Sequence, residues 1–80
     1  GEAIPLLERT LADCEQALGP DDPNTLSSRN NLAGAYKLAG RTAEAIPLLE
    51  QTLADCKRIL GEEHPNTRMV RRNLSAVLEL

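Results

Sequence analysis

Few residues in this chain could do chemistry. His64 stands beside Glu62, Glu63 and Pro65. An imidazole next to carboxylates could bind a metal or move a proton. A metal centre, however, needs three or four converging ligands, and only carboxylates are adjacent. The equivalent stretch in the first half of the chain, Pro20-Asp21-Asp22, has no imidazole. His64 therefore reads as a linker or helix-cap residue. Cys14 and Cys56 could serve as nucleophiles only in an electropositive, partly exposed setting with a base nearby. Both fall on apolar stripes and read as small buried hydrophobes. There is no Gly-rich phosphate loop, no paired metal motif and no Ser–His–Asp set. Neither catalysis nor a cofactor or metal is expected.

The amides and guanidiniums offer more. Ser27, Asn30, Asn31, Gly34 and Lys37 fall on the side of their segment away from Leu32 and Tyr36. Met69, Arg72, Asn73, Ala76 and Glu79 repeat that register near the C-terminal end. Asparagine carries donor and acceptor together and so matches a peptide amide without reading its side chain. Small residues such as Gly34 and Ala76 leave room for a peptide backbone. The alternative role for the asparagines is to brace neighbouring helices or cap backbone groups. Arg68, Arg71 and Arg72 lie within five residues, with no acid until Glu79. Such a surface favours acidic ligands, which arginine grips in bidentate fashion. The alternative is a solvated basic face, or ion pairs to Glu62, Glu63 and a neighbouring helix.

These residues must be positioned by helices. The chain has 80 residues, and Ala, Glu, Lys, Leu and Arg supply 41 of them, a helical bias. Val and Ile number five, too few for a β-sandwich or barrel. One domain at most is expected. Nine basic and twelve acidic residues give a net charge of −3, with Tyr36 the sole aromatic. That composition lacks the cationic excess and stacking rings of a nucleic-acid binder. No apolar run is long enough to cross a membrane. The N-terminal GEAIPLLE does not look like a secretory signal, and two cysteines are too few for a disulfide framework. A reducing cytoplasm is the expected location.

Sliding the chain against itself by 42 residues exposes a duplication. EAIPLLERTLADC at 2–14 lies on EAIPLLEQTLADC at 44–56, LGPDDPNT at 18–25 on LGEEHPNT at 60–67, and RNNL at 29–32 on RRNL at 71–74. More than half of the aligned pairs are identical. A fixed period of this length means stacked units, none able to bury its apolar face alone. In the first unit Ile4, Leu7, Leu11, Cys14 and Leu18 recur at steps of three and four, one helical stripe. Gly19 stops that helix, and Asp22-Pro23 restarts the chain as a cap and a first helical position. Leu32, Ala33, Tyr36 and Ala39 form the next stripe, which Gly40 ends. Thr42 can cap the third helix, and Pro65 opens the fourth. The pattern predicts helices at 2–18, 23–39, 43–60 and 65–79. Pro5 and Pro47 fall about one turn inside their helices. Each implies a slight kink or a tight first turn, or at Pro47 the helix start itself. Stacking would set Cys14 and Cys56 about 8–10 Å apart, too far for a disulfide.

The segment NLAGAYKLAGRTAEAIPLLEQTL resembles the tetratricopeptide repeat. Leu32, Ala33, Tyr36, Ala45 and Leu49 fall where that family places its large and small packing residues. The 42-residue period, the Leu60–Thr67 link and the Asn-Leu-Ala stretch are similar to the kinesin-light-chain variety. Ser75 in place of Ala33 and Leu78 in place of Tyr36 depart from the pattern, so the last helix is expected to pack less well. The resemblance implies an all-α fold, an α-solenoid of stacked antiparallel helix pairs in a right-handed superhelix. It implies that helices 23–39 and 65–79 line a concave groove. There Asn31 and Asn73 would contact an extended peptide or partner helix. In that phase the chain begins on a second helix at Glu2 and ends on a first helix near Leu80, each without its partner. The expected role is a non-enzymatic interaction scaffold. Two alternatives stand beside it: head-to-tail self-association, since 80 residues plus one four-residue link span two periods, and a sensor arm of a larger signalling ATPase.

Overall fold

A computed structural model describes residues 3–79. It contains four α-helices: α1 (Ala3–Leu18), α2 (Pro23–Leu38), α3 (Thr42–Leu60) and α4 (Pro65–Leu78). There is no strand among the described residues. The expected start of the first helix at Glu2 and the chain end at Leu80 lie outside them. Links of three or four residues force each helix to run back along its predecessor. Gly19 and Gly61, equivalent by the repeat, both sit at φ 90°, a backbone that side chains with a Cβ rarely adopt. Each lets the chain leave its helix in one step.

The start of α3 differs from expectation. Thr42 is the first helical residue rather than the cap, and Arg41 occupies the cap position with no side-chain hydrogen bond to the backbone. The turn is closed by the main chain instead: the Arg41 amide donates to the Tyr36 carbonyl at 2.8 Å. The Arg41 guanidinium pairs with Glu44 one turn on and lies 4.7 Å over the Tyr36 ring. The Arg41 carbonyl accepts from the Glu44 and Ala45 amides at 3.1 Å each, which starts the helix without a side-chain cap. Pro47 lies inside α3. The helix runs through it from Thr42, at the cost of one backbone hydrogen bond near its first turn.

Each helix packs on the next, and α2 also reaches α4. The equivalent pair, α1 and α3, makes no such approach among the described residues. The stack is thus tighter on the side of α2 and α4. The core runs through it: Ala33, Ala45, Leu26, Leu49 and Cys56 are fully enclosed, with Ile4, Leu32, Tyr36, Val70 and Val77 around them. Ala33 and Ala45 let α2 and α3 approach, while Tyr36 and Leu49 fill the space beside them. The last helix is less well covered. Leu78 is 59% exposed where its counterpart Tyr36 is 9% exposed, and Ser75 is exposed where Ala33 is enclosed. No helix is long and apolar enough to cross a membrane.

Candidate functional site

The two helices that carry the candidate residues are set in place by the same device. Before α2, the Asn24 amide donates to Asp22 Oδ1 at 2.8 Å. Before α4, the Asn66 amide donates to His64 Nδ1 at 3.1 Å. Each cap precedes a proline at the first helical position, where a missing N–H costs nothing. His64 is therefore engaged in capping. Below the first cap, the Thr25 hydroxyl donates to the Gly19 carbonyl at 2.8 Å, tying the start of α2 to the end of α1.

Arg29 locks α2 between its neighbours. Its Nη1 donates to Asp55 on α3 at 2.7 Å, its Nη2 donates to the Pro20 carbonyl at 3.1 Å, and Glu15 on α1 lies 3.8 Å away. Arg29 and Asp55 are about nine-tenths buried. Burial pushes the Asp55 carboxyl up, but hydrogen bonds from Arg29, Gln51 and Arg58 and the Arg29 charge outweigh it. The net result lies below the ordinary carboxylate value. At the other end of α2, the Tyr36 hydroxyl donates to Glu8 at 2.8 Å. That hydrogen bond, then burial and the Glu8 charge, raise the Tyr36 pKa above 10.0.

Between α2 and α4 lies a cleft of about 150 Å³, lined by Leu26, Ser27, Asn30, Asn31, Cys56, Asn66, Met69 and Val70. It is below the range of small-molecule pockets and has room for one or two side chains of a longer ligand. Four of the expected groove residues meet here: Ser27, Asn30, Asn31 and Met69. Asn31 is exposed and makes no side-chain hydrogen bond among the described residues, while Met69 is 52% exposed. Asn30 differs from the expectation of an open polar face. It is only 6% exposed, and its Oδ1 accepts from Asn73 Nδ2 at 2.8 Å. The two asparagines brace α2 against α4, because a buried amide oxygen must find a donor.

The other candidates lie elsewhere. Gly34 and Lys37 are half-buried on α2 but do not line the cleft. A methyl group added at Gly34 would meet nothing within 4 Å, so the surface there is open. Arg72 and Ala76 turn toward the outer face of α4, with Arg68, Arg71, Ser75 and Glu79. Met69 joins the two regions, since it also borders a shallow depression with Pro65, Arg68 and Arg72. Asn66 is a cleft residue that the sequence reading missed. Its Nδ2 lies 3.5 Å from Ser27 Oγ. The signal was its recurrence with Asn24 in the repeated Pro-Asn-Thr.

Cys56 forms part of the cleft wall. Burial, then the Asp55 charge, push its thiol up, with Arg29 acting the other way; the thiolate needed for nucleophilic attack is scarce at neutral pH. Cys14 lies 3.7 Å from the Ser28 hydroxyl, and both thiols are free. No group of three potential ligands able to hold a metal occurs among the described residues. Asn31, Arg68 and Arg72 are exposed and present an amide and two guanidiniums that have no side-chain partner among the described residues.

No curated protein matches this sequence. A family model described as tetratricopeptide repeat matches residues 1–58, which span α1, α2 and nearly all of α3. With that match, the duplicated hairpins, the small–large packing at Ala33, Tyr36, Ala45 and Leu49 and the stacked helices, the chain belongs to the tetratricopeptide repeat family.

Proposed function

We propose that the chain is a non-catalytic interaction scaffold that holds an extended, acidic peptide segment along the α2–α4 cleft. The family carries the general role, protein–protein interaction. The carrying observation for the site is Asn31: an exposed amide with no side-chain hydrogen bond among the described residues, at the rim of a cleft that takes one or two side chains. Asn31 would bond the peptide backbone, and Met69, Leu26 and Val70 would receive an apolar side chain. Arg68 and Arg72, which border Met69 and have no ion pair among the described residues, would select acidic neighbours. The 42-residue period and a third helix of 19 residues support the kinesin-light-chain-like variety of the repeat, and a cytoplasmic setting suits free thiols.

Calorimetric titration with a short acidic peptide carrying one central leucine tests this reading. Asn31→Ala should weaken binding by about 1 kcal/mol or more while leaving the helical circular dichroism unchanged. Equal affinity of the variant and the parent would overturn the cleft assignment.

A further inference from the structure

The internal duplication shows what fits the outer face of α4. The equivalent face of α2 is covered by α3, whose stripe Ala45, Leu48, Thr52 and Asp55 carries the partner of Arg29. Forty-two residues earlier, α1 repeats that stripe as Ala3, Leu6, Thr10 and Asp13, and it stands open. Leu6 is 64% exposed where Leu48 is half-buried; Thr10 and Asp13 are exposed where Thr52 is enclosed. The open stripe already has the conformation of the covered one: the Thr10 hydroxyl donates to the Leu6 carbonyl at 3.0 Å, as that of Thr52 donates to the Leu48 carbonyl at 2.6 Å.

The face of α4 is poised in the same way. Arg29 uses Nη2 for residue 20 and Nη1 for Asp55. Its counterpart Arg71 uses Nη2 for residue 62, donating to Glu62 at 3.2 Å, the same direction one repeat on. Its Nη1 has no partner among the described residues. The changes between the two halves also match across the would-be junction. Leu26 and Val70 share the wall of the existing cleft; their counterparts are Arg68 and Ser28, a guanidinium and a hydroxyl acceptor. The Asn30–Asn73 pair becomes Arg72 and Asn31, a guanidinium and an amide oxygen. An apolar pair has become a polar one on both sides at once.

We propose that copies of this chain associate head to tail, α1 of one copy packing on α4 of another in the register that α3 holds against α2, with Arg71 paired to Asp13 of the second copy. The contact is heterologous and does not close on itself in a pair, so it extends into an open array. Each junction would form a second cleft lined by Arg68, Met69 and Arg72, more basic than the first. Assembly does not require a peptide in the α2–α4 cleft, but because Arg72 of one copy meets Asn31 of the next, a peptide held at Asn31 competes with the junction.

Sedimentation velocity of the chain over a range of concentrations tests this. The average mass should rise with concentration and fall with added salt. Arg71→Glu and Asp13→Arg should each stay helical and each weaken association at least about tenfold, since like charges then face each other. An equimolar mixture of the two variants should associate again. The new carboxylate of one meets the new guanidinium of the other, and the native pair forms at alternate junctions. Arg71→Gln and Asp13→Asn should weaken association in the same direction by less, and they replace either charge-reversed variant that loses its helical signal. A monomer at every concentration, or single variants that associate like the parent, would overturn the proposal. A mixture that remains monomeric would overturn it too, and would point to a symmetric contact or none.

Discussion

At the residue scale the most buried ion pair among the described residues is Arg29–Asp55. Two charges taken out of water cost several kcal/mol each, and they are tolerated only when fully bonded. Asp55 receives three side-chain donors, from Arg29, Gln51 and Arg58. Removing it leaves the Arg29 guanidinium buried with only the Pro20 carbonyl and a longer contact to Glu15. Asp55→Ala should therefore destabilise the fold by about 2–4 kcal/mol, read as a lower urea midpoint at pH 7. The native pKa lies below 3.8, so the unfolded state takes up the proton first as pH falls. The contribution is whole above about pH 4 and is lost as the pH drops through the lowered native value. Asp55→Asn should flatten that acid-side loss of stability.

At the element scale, α2 and α4 depend on their first turns. Each begins with a side-chain cap and a proline, and neither has an acidic residue in its first turn to complement the helix dipole. Asp22→Ala and His64→Ala should each cost about 1 kcal/mol, visible as a lower thermal midpoint with the fold retained. The two cap chemistries differ, a carboxylate in one repeat and an imidazole in the other, yet each accepts from the amide two residues on. That shared geometry explains why the position tolerates the exchange. His64 Nδ1 does there the accepting that the Asp22 carboxylate does in the other repeat.

At the scale of the whole molecule, the approach of α2 to α4 without a matching approach of α1 to α3 makes the α2–α4 side the inner one. The Asn30–Asn73 hydrogen bond lies on that side. Asn31 and Asn73 are equivalent in the repeat, yet their neighbours give them different work. Asn73→Ala should leave the buried Asn30 oxygen without its donor. The cost should be about 1–3 kcal/mol of stability, with faster amide hydrogen exchange in α4. Asn31→Ala, on an exposed amide, should leave both unchanged. Equal stability losses in the two variants would contradict this division of roles.

The helices and the repeat were legible in the residue order, because they depend on local pattern: a stripe at steps of three and four, glycines after helices, a cap before proline. Ala33 and Tyr36 followed from the stripe on their helix, while Ala45 and Leu49 came from the resemblance to the tetratricopeptide repeat. Which flank of α2 faces α4 came from packing. Asn30 and Asn31 are adjacent, about 100° apart around the helix, and both border the apolar stripe; α4 buries one against Asn73 and leaves the other in solvent. The same holds for the arginines. Arg29 and Arg71 share a register, but Arg29 lies between α1 and α3 while Arg71 stands on an uncovered face. A stripe fixes what a helix buries, whereas its edges take their roles from the helix placed beside them.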